Sequence, residues 1–413
     1  MTKRKVIEWS KESNQDKAIK IILFLVSPFL SAIYSVRRMN THSSFIVFYL
    51  FAVFFGMAFT IDSGKTNDSQ LDGSFYRQVF EDYHKTSYSS FKDGFKEYLS
   101  FNSAHKDYYF DILSFYLTRI TDNYHWMFMI SAMIFAFFAL KCFRIFTNEN
   151  KFDFSIASLI LVYLFFVNSI FNINGLRFWT AAWIGVYCIF NIIKDKKWQY
   201  SLLLLLLPFI HVSFWLFIIL FFSIILLKKF EKIWIILFII SFFVGNLSIE
   251  LLQSYSNYAP PFIERVILSY TDKSMISSIS QGTGFFWVER LMGLLVRVFI
   301  NLMVFLFIKN REIIKANYST KNLYLFLIQY MTFVNFSLAV PSLGARFQLI
   351  AFPIIAYIWL VNFKDVKYQR FLYLTPIIFW FNIRTELIYY FKILDFTFYF
   401  TNPFSLIYFY LIS

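Results

Sequence analysis

The chain has 413 residues and a net charge of +14, yet only 15% of its residues are charged while 58% are hydrophobic. Soluble globular domains carry about 25% charged residues, so the composition excludes a string of soluble domains. The apolar residues occur in blocks of about 16 to 22, and at 1.5 Å per residue such blocks cross a hydrocarbon core of about 30 Å. We therefore predict an all-α, polytopic transmembrane helix bundle that forms a single integral-membrane domain over residues 1–413.

The candidate membrane segments number about 11 to 12, judged by the length that each crossing needs. Most are continuous apolar blocks. The run 201–210 is too short for a comfortable crossing, and the tail 391–413 is interrupted by Asn402 and Pro403. In chain order the predicted spans are 20–36, 43–61, 124–141, 154–172, 176–193, 212–227, 233–253, 287–308, 322–340, 347–363 and 371–389.

The excess of basic residues does not indicate a nucleic-acid partner. Lys and Arg lie mostly in short loops between apolar blocks, which is the pattern of the positive-inside rule. Placing these loops in the cytoplasm turns the other connections outward, including a first outer loop at 62–108 and a second at 254–286. The basic loops are 141–153, 194–197, 228–232, 309–321 and 364–370.

This charge map makes two further predictions about the outer side. Segments 201–210 and 212–227 form an out-and-back hairpin with His211 near its tip. Residues 108–121 form an amphipathic segment that lies on the membrane before the next span.

The N-terminal region conflicts with this assignment of the loops to the two sides of the membrane. The basic residues before position 20 and the pair Arg37-Arg38 all favour the cytoplasm, which a single crossing by 20–36 does not permit. Pro28 makes a re-entrant segment the alternative to a plain crossing, because proline interrupts a helix.

Ionisable side chains gather at the predicted outer ends of the apolar blocks. Such side chains are energetically costly in a membrane segment, so their presence indicates a function. Arg177 and Arg346 stand in similar settings, Gly-Leu-Arg and Gly-Ala-Arg, and His211 lies between two apolar runs. The planar fork of arginine suits phosphate oxygens, so we predict a diphosphate site. The predicted diphosphate-binding cations are Arg177, Arg346, Arg290 and Arg384. The other candidate site residues on this side are Tyr76, Asn174, His211, Asp72 and Glu386.

Each of these residues also has an interpretation that involves no ligand. An arginine within one turn of a helix end often extends to the lipid headgroups. A histidine such as His211 between apolar runs is often a hydrogen-bonded packing residue, and Asp72 fits an ordinary turn. The conjunction of several cations and one histidine on one face favours the functional interpretation.

Motifs of metal and nucleotide sites are absent from the sequence. It has no P-loop, no glycine-rich dinucleotide turn and no His-Glu-x-x-His, and its two cysteines, Cys142 and Cys188, are too few for a zinc site or a disulfide framework. We predict no metal and no cofactor, so the driving energy comes from an activated substrate or from a gradient.

One stretch of the chain resembles a known family. Asn174-Gly-Leu-Arg177, then Phe-Trp-Thr-Ala-Ala, a short basic loop, Tyr200, an apolar run and His211-Val-Ser resemble the EpsG-like and Wzy-type polysaccharide polymerases. The resemblance is carried by residues 60–230 and continues beyond them only in the general architecture.

The first outer loop carries a second part of this resemblance. Asp72-Gly-Ser-Phe-Tyr76 is similar to the family's Asp-x-x-x-Tyr, and Asp107 begins a stretch that fits the next part of the family's pattern. The family's usual Gly-Thr before the first aspartate is absent, and Asp62 and Asp68 are alternatives to Asp72.

The resemblance implies an integral-membrane glycosyltransferase of the GT-C type at the outer face of the bacterial inner membrane. Such enzymes join O-antigen or exopolysaccharide repeat units carried on undecaprenyl diphosphate, which serve as donor and acceptor among the membrane lipids, with a chain-length regulator as a candidate partner. Arginines then neutralise the leaving diphosphate. A base accepts the proton of the acceptor hydroxyl, with His211 as first choice, Asp72 as second and Glu386 as third.

Three other classes remain as alternatives. An O-antigen ligase or another lipid-linked glycosyltransferase would share the arginines and differ in its acceptor. A flippase or secondary transporter would show related halves and charges on both faces of a central cavity. A membrane O-acyltransferase would place its histidine deep in the membrane or towards the cytoplasm.

Overall fold

The computed structural model describes residues 12–61, 72–100, 106–149, 152–227, 229–243, 245–258, 264, 267–268, 271, 286–338, 340 and 343–412. This part of the chain is built from helices and contains no strand. The predicted all-α architecture is therefore confirmed. Parts of the first predicted outer loop and most of the second, 254–286, lie outside the described residues.

The helices of the first half follow the predicted blocks with several interruptions. They are α1 Asn14–Val26, α2 Pro28–Val36, α3 His42–Ala58, α4 Asp72–Tyr83, α5 Tyr88–Leu99, α6 Tyr109–Leu117, α7 His125–Thr147, α8 Ile156–Phe165, α9 Leu176–Cys188, α10 Ser201–Leu205, α11 Leu207–Ile210 and α12 Phe214–Leu227. A 3₁₀ turn, Ile170–Gly175, precedes α9, and a π-helical turn, Ile189–Lys194, extends it.

The described part of the second half also consists of helices, joined by turns and short irregular segments. Its helices are α13 Glu231–Ile240, α14 Gly245–Tyr255, α15 Phe286–Lys309, α16 Arg311–Ala316, α17 Tyr318–Ser337, α18 Leu343–Asn362, α19 Val366–Leu372, α20 Thr375–Ile378, α21 Trp380–Ile393 and α22 Pro403–Ile407.

Four helical stretches in the described chain are long and apolar enough to cross a membrane. They are His125–Thr147, Ile156–Lys194, Trp287–Lys309 and Leu343–Asn362. Ile156–Lys194 folds back on itself, because the indole Nε1 of Trp183 donates to the carbonyl of Asn168 at 3.1 Å. A straight helix would separate these residues by about 22 Å. This stretch therefore contains two antiparallel segments, as the predicted spans 154–172 and 176–193 required.

The core lies around α18, which packs against α8, α9 and α17. Its side chains from Phe347 to Val361 are almost all buried, including Trp359, and they belong to one continuous apolar cluster. α7 joins this core by packing between α3 and α9. The site described below is built at one end of these central helices.

The N-terminal block is a helical hairpin rather than one helix. Ser27 is extended, its hydroxyl caps α2, and Pro28 occupies the first turn of α2, where its missing N–H is harmless. The hydroxyl of Ser31 donates to the carbonyl of Lys20 at 2.8 Å, and that of Tyr34 donates to Asp16 Oδ1 at 3.2 Å. α1 and α2 therefore run back along each other, and at 13 and 9 residues each is shorter than the roughly 30 Å of a hydrocarbon core.

A buried charge cluster closes the open end of this hairpin. The ammonium of Lys20 is 1% exposed, pairs with Glu12 and lies 2.9 Å from Asp16. It also donates to the hydroxyl of Thr41 at 3.1 Å, next to the start of α3. Glu12, just before α1, and Thr41, after α2, are therefore at the same end of the bundle, as the re-entrant alternative requires and a single crossing does not permit.

Two predicted spans differ from the structure. The block 233–253 is interrupted after Ile240, where the chain turns before α14. The block 371–389 is not one helix but α19, α20 and α21, and Pro376 near the start of α20 lacks the N–H that a continuous helix would need. The tail after 391 consists of short helical turns that contact the first helices, since the carbonyl of Tyr399 accepts a hydrogen bond from Ser27 at 2.7 Å.

The first outer loop and the amphipathic segment form a small helical layer. It consists of α4, α5 and α6, and the rings of Phe91 and Phe115 stack at 4.0 Å within it. Tyr108 packs into the same aromatic group as Phe209, and its backbone N–H donates to the carbonyl of Phe209 at 3.1 Å. The layer is thereby fastened to the turn that carries His211.

Candidate functional site

Asp72 and Asn174 are joined through the glycine that follows Asp72. The N–H of Gly73, in the first turn of α4, donates to Asn174 Oδ1 at 2.9 Å. A Cβ at position 73 would lie 2.5 Å from that oxygen and 2.6 Å from Ile61 Cδ1, so only glycine permits this approach. The contact fixes the start of α4 against the turn before α9.

Arg177 lies in the first turn of α9 and is held by two partners from the segments that form the small helical layer of α4, α5 and α6. Its Nε donates to the hydroxyl of Tyr76 at 3.1 Å, and its Nη1 donates to Asp107 Oδ1 at 2.8 Å. The Asp107 side chain is 1% exposed and that of Arg177 is 26% exposed. These two contacts therefore fix the orientation of the guanidinium, while part of the side chain remains exposed.

Asp107 connects Arg177 to the histidine turn. Its carboxylate accepts a hydrogen bond from the backbone N–H of Val212 as well as from Arg177. Burial raises the pKa of Asp107, and the positive charge of Arg177 acts in the opposite direction. The carboxylate thus holds two elements together, and Arg177 compensates its charge.

His211 lies between α11 and α12, at the end of α9 that carries Arg177. The run α10–α11 packs along α9 and brings the His211 ring to 5.2 Å from the ring of Phe178, edge to face. Burial lowers the pKa of His211 well below its usual value, and the charges of Arg177, Arg346 and Lys106 act in the same direction. The imidazole is therefore neutral at pH 7.

The neutral imidazole has two possible tautomers, and the contacts of Nδ1 bear on both. The hydroxyl of Ser213 lies 2.8 Å from Nδ1 of His211, and the backbone N–H of Ser213 donates to the same nitrogen at 3.3 Å. The backbone N–H can donate to Nδ1 only while that nitrogen is unprotonated, so this contact favours the tautomer with its hydrogen on Nε2, in which Nε2–H is a hydrogen-bond donor. In the other tautomer, Nδ1–H donates to the Ser213 hydroxyl, the bond from the Ser213 N–H is lost, and Nε2 can accept a proton.

Arg346 completes the cluster from the first turn of α18. Its Nη2 lies 3.8 Å from Asp72 Oδ2, and its guanidinium carbon lies 5.7 Å from the centre of the Phe178 ring. A Cβ on Gly344 would come within 2.5 Å of the backbone nitrogen of Leu338, so glycine permits the close packing just before Arg346.

The structure brings together six of the nine predicted site residues. They are Asp72, Tyr76, Asn174, Arg177, His211 and Arg346. None of the contacts described above includes the other three: Arg290 lies near the start of α15, and Arg384 and Glu386 lie on α21. The alternatives Asp62 and Asp68 lie outside the described residues.

Sequence reasoning did not assign Asp107, Phe178 or Ser213 to the site. The signal for Asp107 was a carboxylate at the start of the aromatic run 107–110, ahead of a predicted amphipathic segment. Among the described residues, no group of three or more His, Cys, Asp or Glu side chains is arranged to hold a metal ion. The cluster is an arrangement of cations, carboxylates and one neutral imidazole.

Comparison with known families gave one match. A family model described as the EpsG family matches residues 47–406, which is most of the chain and includes all the residues of the cluster. Comparisons with curated proteins and with solved structures gave no match.

Proposed function

The chain belongs to the EpsG family of Wzy-like polymerases of polysaccharide biosynthesis, and on this basis we propose that it joins lipid-linked oligosaccharide repeat units. Donor and acceptor are repeat units carried on undecaprenyl diphosphate. The reaction occurs at the outer face of the bacterial inner membrane and extends an O-antigen or exopolysaccharide chain. A chain-length regulator is a candidate protein partner.

The proposed reaction exchanges one bond at the anomeric carbon for another. The bond from that carbon to the diphosphate of the donor breaks, and a bond to a hydroxyl oxygen of the acceptor unit forms. The hydroxyl proton passes to a base, and undecaprenyl diphosphate leaves with the bonding electrons. Negative charge accumulates on the leaving diphosphate, so cations placed beside it stabilise the transition state.

The paired arginines are the observation that carries this proposal. Arg177 and Arg346 come from the first turns of two separate helices, and both lie close to the His211–Phe178 contact. Tyr76 and Asp107 fix the orientation of Arg177 before any ligand is bound, and such preorganisation avoids rearrangement during the reaction. Asp72 holds Arg346 more loosely, at 3.8 Å.

His211 is the first candidate for the base in this proposal. It is neutral and lies beside both arginines. Nε2 takes the proton in the tautomer in which Nδ1–H donates to the Ser213 hydroxyl, and this tautomer gives up the bond from the Ser213 N–H. In the other tautomer, Nε2–H donates to an oxygen of the diphosphate, and Asp72, whose side chain is 55% exposed, becomes the base. Glu386 is third because the contacts of the cluster do not include it.

The arrangement of charge along α9 supports an outward-facing site. Arg177 opens this helix, and the basic loop that begins at Lys194 follows its end, about 25 Å away along the axis. Basic loops favour the cytoplasm. The cluster therefore belongs to the opposite, outer side in this proposal.

The decisive experiment is the analysis of lipid-linked intermediates in a strain that lacks this protein. Single lipid-linked repeat units accumulate if the protein is a polymerase. Accumulation of lipid-linked polymer would instead assign a ligase, and accumulation of single units on the cytoplasmic face would assign a flippase.

Complementation with His211→Gln separates the two roles of the histidine. Glutamine can donate a hydrogen bond but does not accept a proton at pH 7. A base typically contributes about 100- to 10,000-fold, so a loss of that size with normal protein level supports His211 as base. A loss below about tenfold assigns the donor role and makes Asp72 the base. His84→Gln, in the outer layer beside Asp122, is the matched control and should polymerise normally.

A further inference from the structure

A groove lies at the end of the bundle opposite the Arg177 cluster. It has a volume of about 200 Å³ and is formed where the π-turn after α9, the end of α12 and the start of α17 meet. Its walls are aliphatic and aromatic, with Ile193, Ile225 and Phe326 contributed by the three helices. Its polar lining residues are Lys196, Trp198 and Asn322.

Lys196 differs from the two lysines beside it. Lys194 and Lys197 contact Asp195 at 3.1 and 3.3 Å, whereas Lys196 forms no ion pair with any residue in the described ranges. Its ammonium lies 5.1 Å from the centre of the Tyr318 ring. The cation lines the groove without a carboxylate to neutralise it.

The backbone at Lys196 supports a specific role for its side chain. Its φ is +56°, a left-handed conformation that is unfavourable for a residue other than glycine. The tight turn Asp195–Lys197 holds it there, since the N–H of Lys197 donates to the carbonyl of Asn191 at 2.9 Å. The strained backbone conformation therefore occurs at the residue whose side chain supplies the positive charge of the groove.

We propose that this groove binds an anionic phospholipid of the surrounding bilayer. One acyl chain lies along the apolar walls, and the headgroup phosphate contacts the ammonium of Lys196. Trp198, 52% exposed, lies at the level where indole rings collect in membrane proteins, between hydrocarbon and headgroups. The amide of Asn322 provides a further hydrogen-bond donor at the same rim.

Charge and position select a lipid as the occupant. The groove combines an apolar interior with one unneutralised cation, which matches a ligand with a hydrocarbon chain and one phosphate. It lies among the helix ends next to the basic loops 194–197, 228–232 and 309–321, and basic residues at that level attract anionic lipids. The site is separated from Arg177 by about 25 Å along α9 and the π-helical turn that extends it, so it does not depend on the proposed polymerase reaction.

Native mass spectrometry of the purified full-length chain tests the proposal, with phosphatidylglycerol and phosphatidylcholine as probes. The wild type should bind phosphatidylglycerol in preference to phosphatidylcholine. Lys196→Gln should weaken phosphatidylglycerol binding about fivefold, as expected for one basic residue near a membrane surface. Ile225→Trp fills the groove and should abolish binding of both lipids there.

The matched control is Lys197→Gln, which removes an equal charge one residue away from a lysine already paired with Asp195. It should change phosphatidylglycerol binding less than twofold. Equal effects of the Lys196 and Lys197 variants, or equal binding of the two lipids by the wild type, would overturn the proposal. Lys196 is exposed, so its variant reports on binding even if Ile225→Trp does not fold.

Discussion

Replacing Asp107 with asparagine probes the contact on which the orientation of Arg177 depends. The carboxylate receives hydrogen bonds from Arg177 and from the N–H of Val212. Asparagine has nearly the same shape but one acceptor oxygen, and its NH₂ group cannot accept a hydrogen bond. The bond from Arg177 then goes to a neutral amide, and Arg177 loses its neutralising charge.

The expected magnitude can be worked out from the strength of these contacts. A hydrogen bond to a charged group contributes about 1.5 to 3 kcal/mol, and one between neutral groups contributes about 0.5 to 1.5 kcal/mol. Because burial raises the pKa of Asp107, part of the gain from its charge is already offset by desolvation. We expect the free energy of unfolding of Asp107→Asn to fall by about 1 to 2 kcal/mol. We expect polymerisation to fall about 10- to 100-fold, because displacement of a positioning group is costly in rate.

Thermal unfolding in detergent and the analysis of lipid-linked intermediates measure the two effects separately. Asp93→Asn is the matched control, because the Asp93 side chain is 68% exposed and contacts Lys96 at 3.7 Å, so its loss should change little. An Asp107→Asn protein with wild-type stability and wild-type polymerisation would refute the role given to this carboxylate. Lower stability with full activity would show that Asp107 is structural only.

The remaining predictions concern the arginines, the topology and the histidine. Arg177→Lys and Arg346→Lys should each lose most polymerisation at normal protein level, because lysine keeps the charge without the planar fork; full activity of both in the intermediate analysis would leave them as plain interfacial residues. A membrane-impermeant thiol reagent should label Lys92→Cys, in the outer layer, but not Lys196→Cys in intact cells, and the reverse would invert the topology. The pKa of His211 in the folded protein lies well below 6.5. Below about pH 6.5, the unfolded chain therefore binds a proton that the folded chain does not. The free energy of unfolding then falls with pH, by at most ~1.4 kcal/mol per pH unit. His211→Gln should reduce this loss in unfolding measurements between pH 7.5 and 5.5, and an identical loss in both proteins would contradict a buried neutral His211.

The proximity of Arg177 and His211 could be predicted because each residue lies at the end of one of two segments that are neighbours in the chain. The apolar run after the basic loop at 194–197 must return along α9, so its end approaches the start of that helix without long-range folding. The contact between Asp107 and Arg177, which are 70 positions apart in the chain, could not be predicted in this way. This contact depends on how the small helical layer of α4, α5 and α6 packs. A single carboxylate before an aromatic run does not indicate which cation it will pair with.

The hairpin at the N-terminus shows a different limit. Ser27 before Pro28 is a good start signal for a helix, and the predicted span ran through it because the block on both sides is apolar. The indications of a re-entrant segment were Pro28 and the basic residues on both sides of the block, and Lys20 is the first residue of that block. A lysine buried to 1% requires acidic partners, and the hairpin brings Glu12, Asp16 and Thr41 to it from both sides.

The two ends of α9 explain how one helix serves two different anionic lipids in these proposals. At its start, Arg177 is held by a buried carboxylate and a tyrosine, so the cation is fixed in orientation as group transfer requires. At its end, Lys196 is exposed and has a flexible side chain, which suits a bilayer lipid that exchanges and is not transformed. About 25 Å of mostly apolar helix separates them, so the two cations do not compete for one ligand. In these proposals, the lipid diphosphate is released at one end of the bundle and the bilayer lipid is bound at the other.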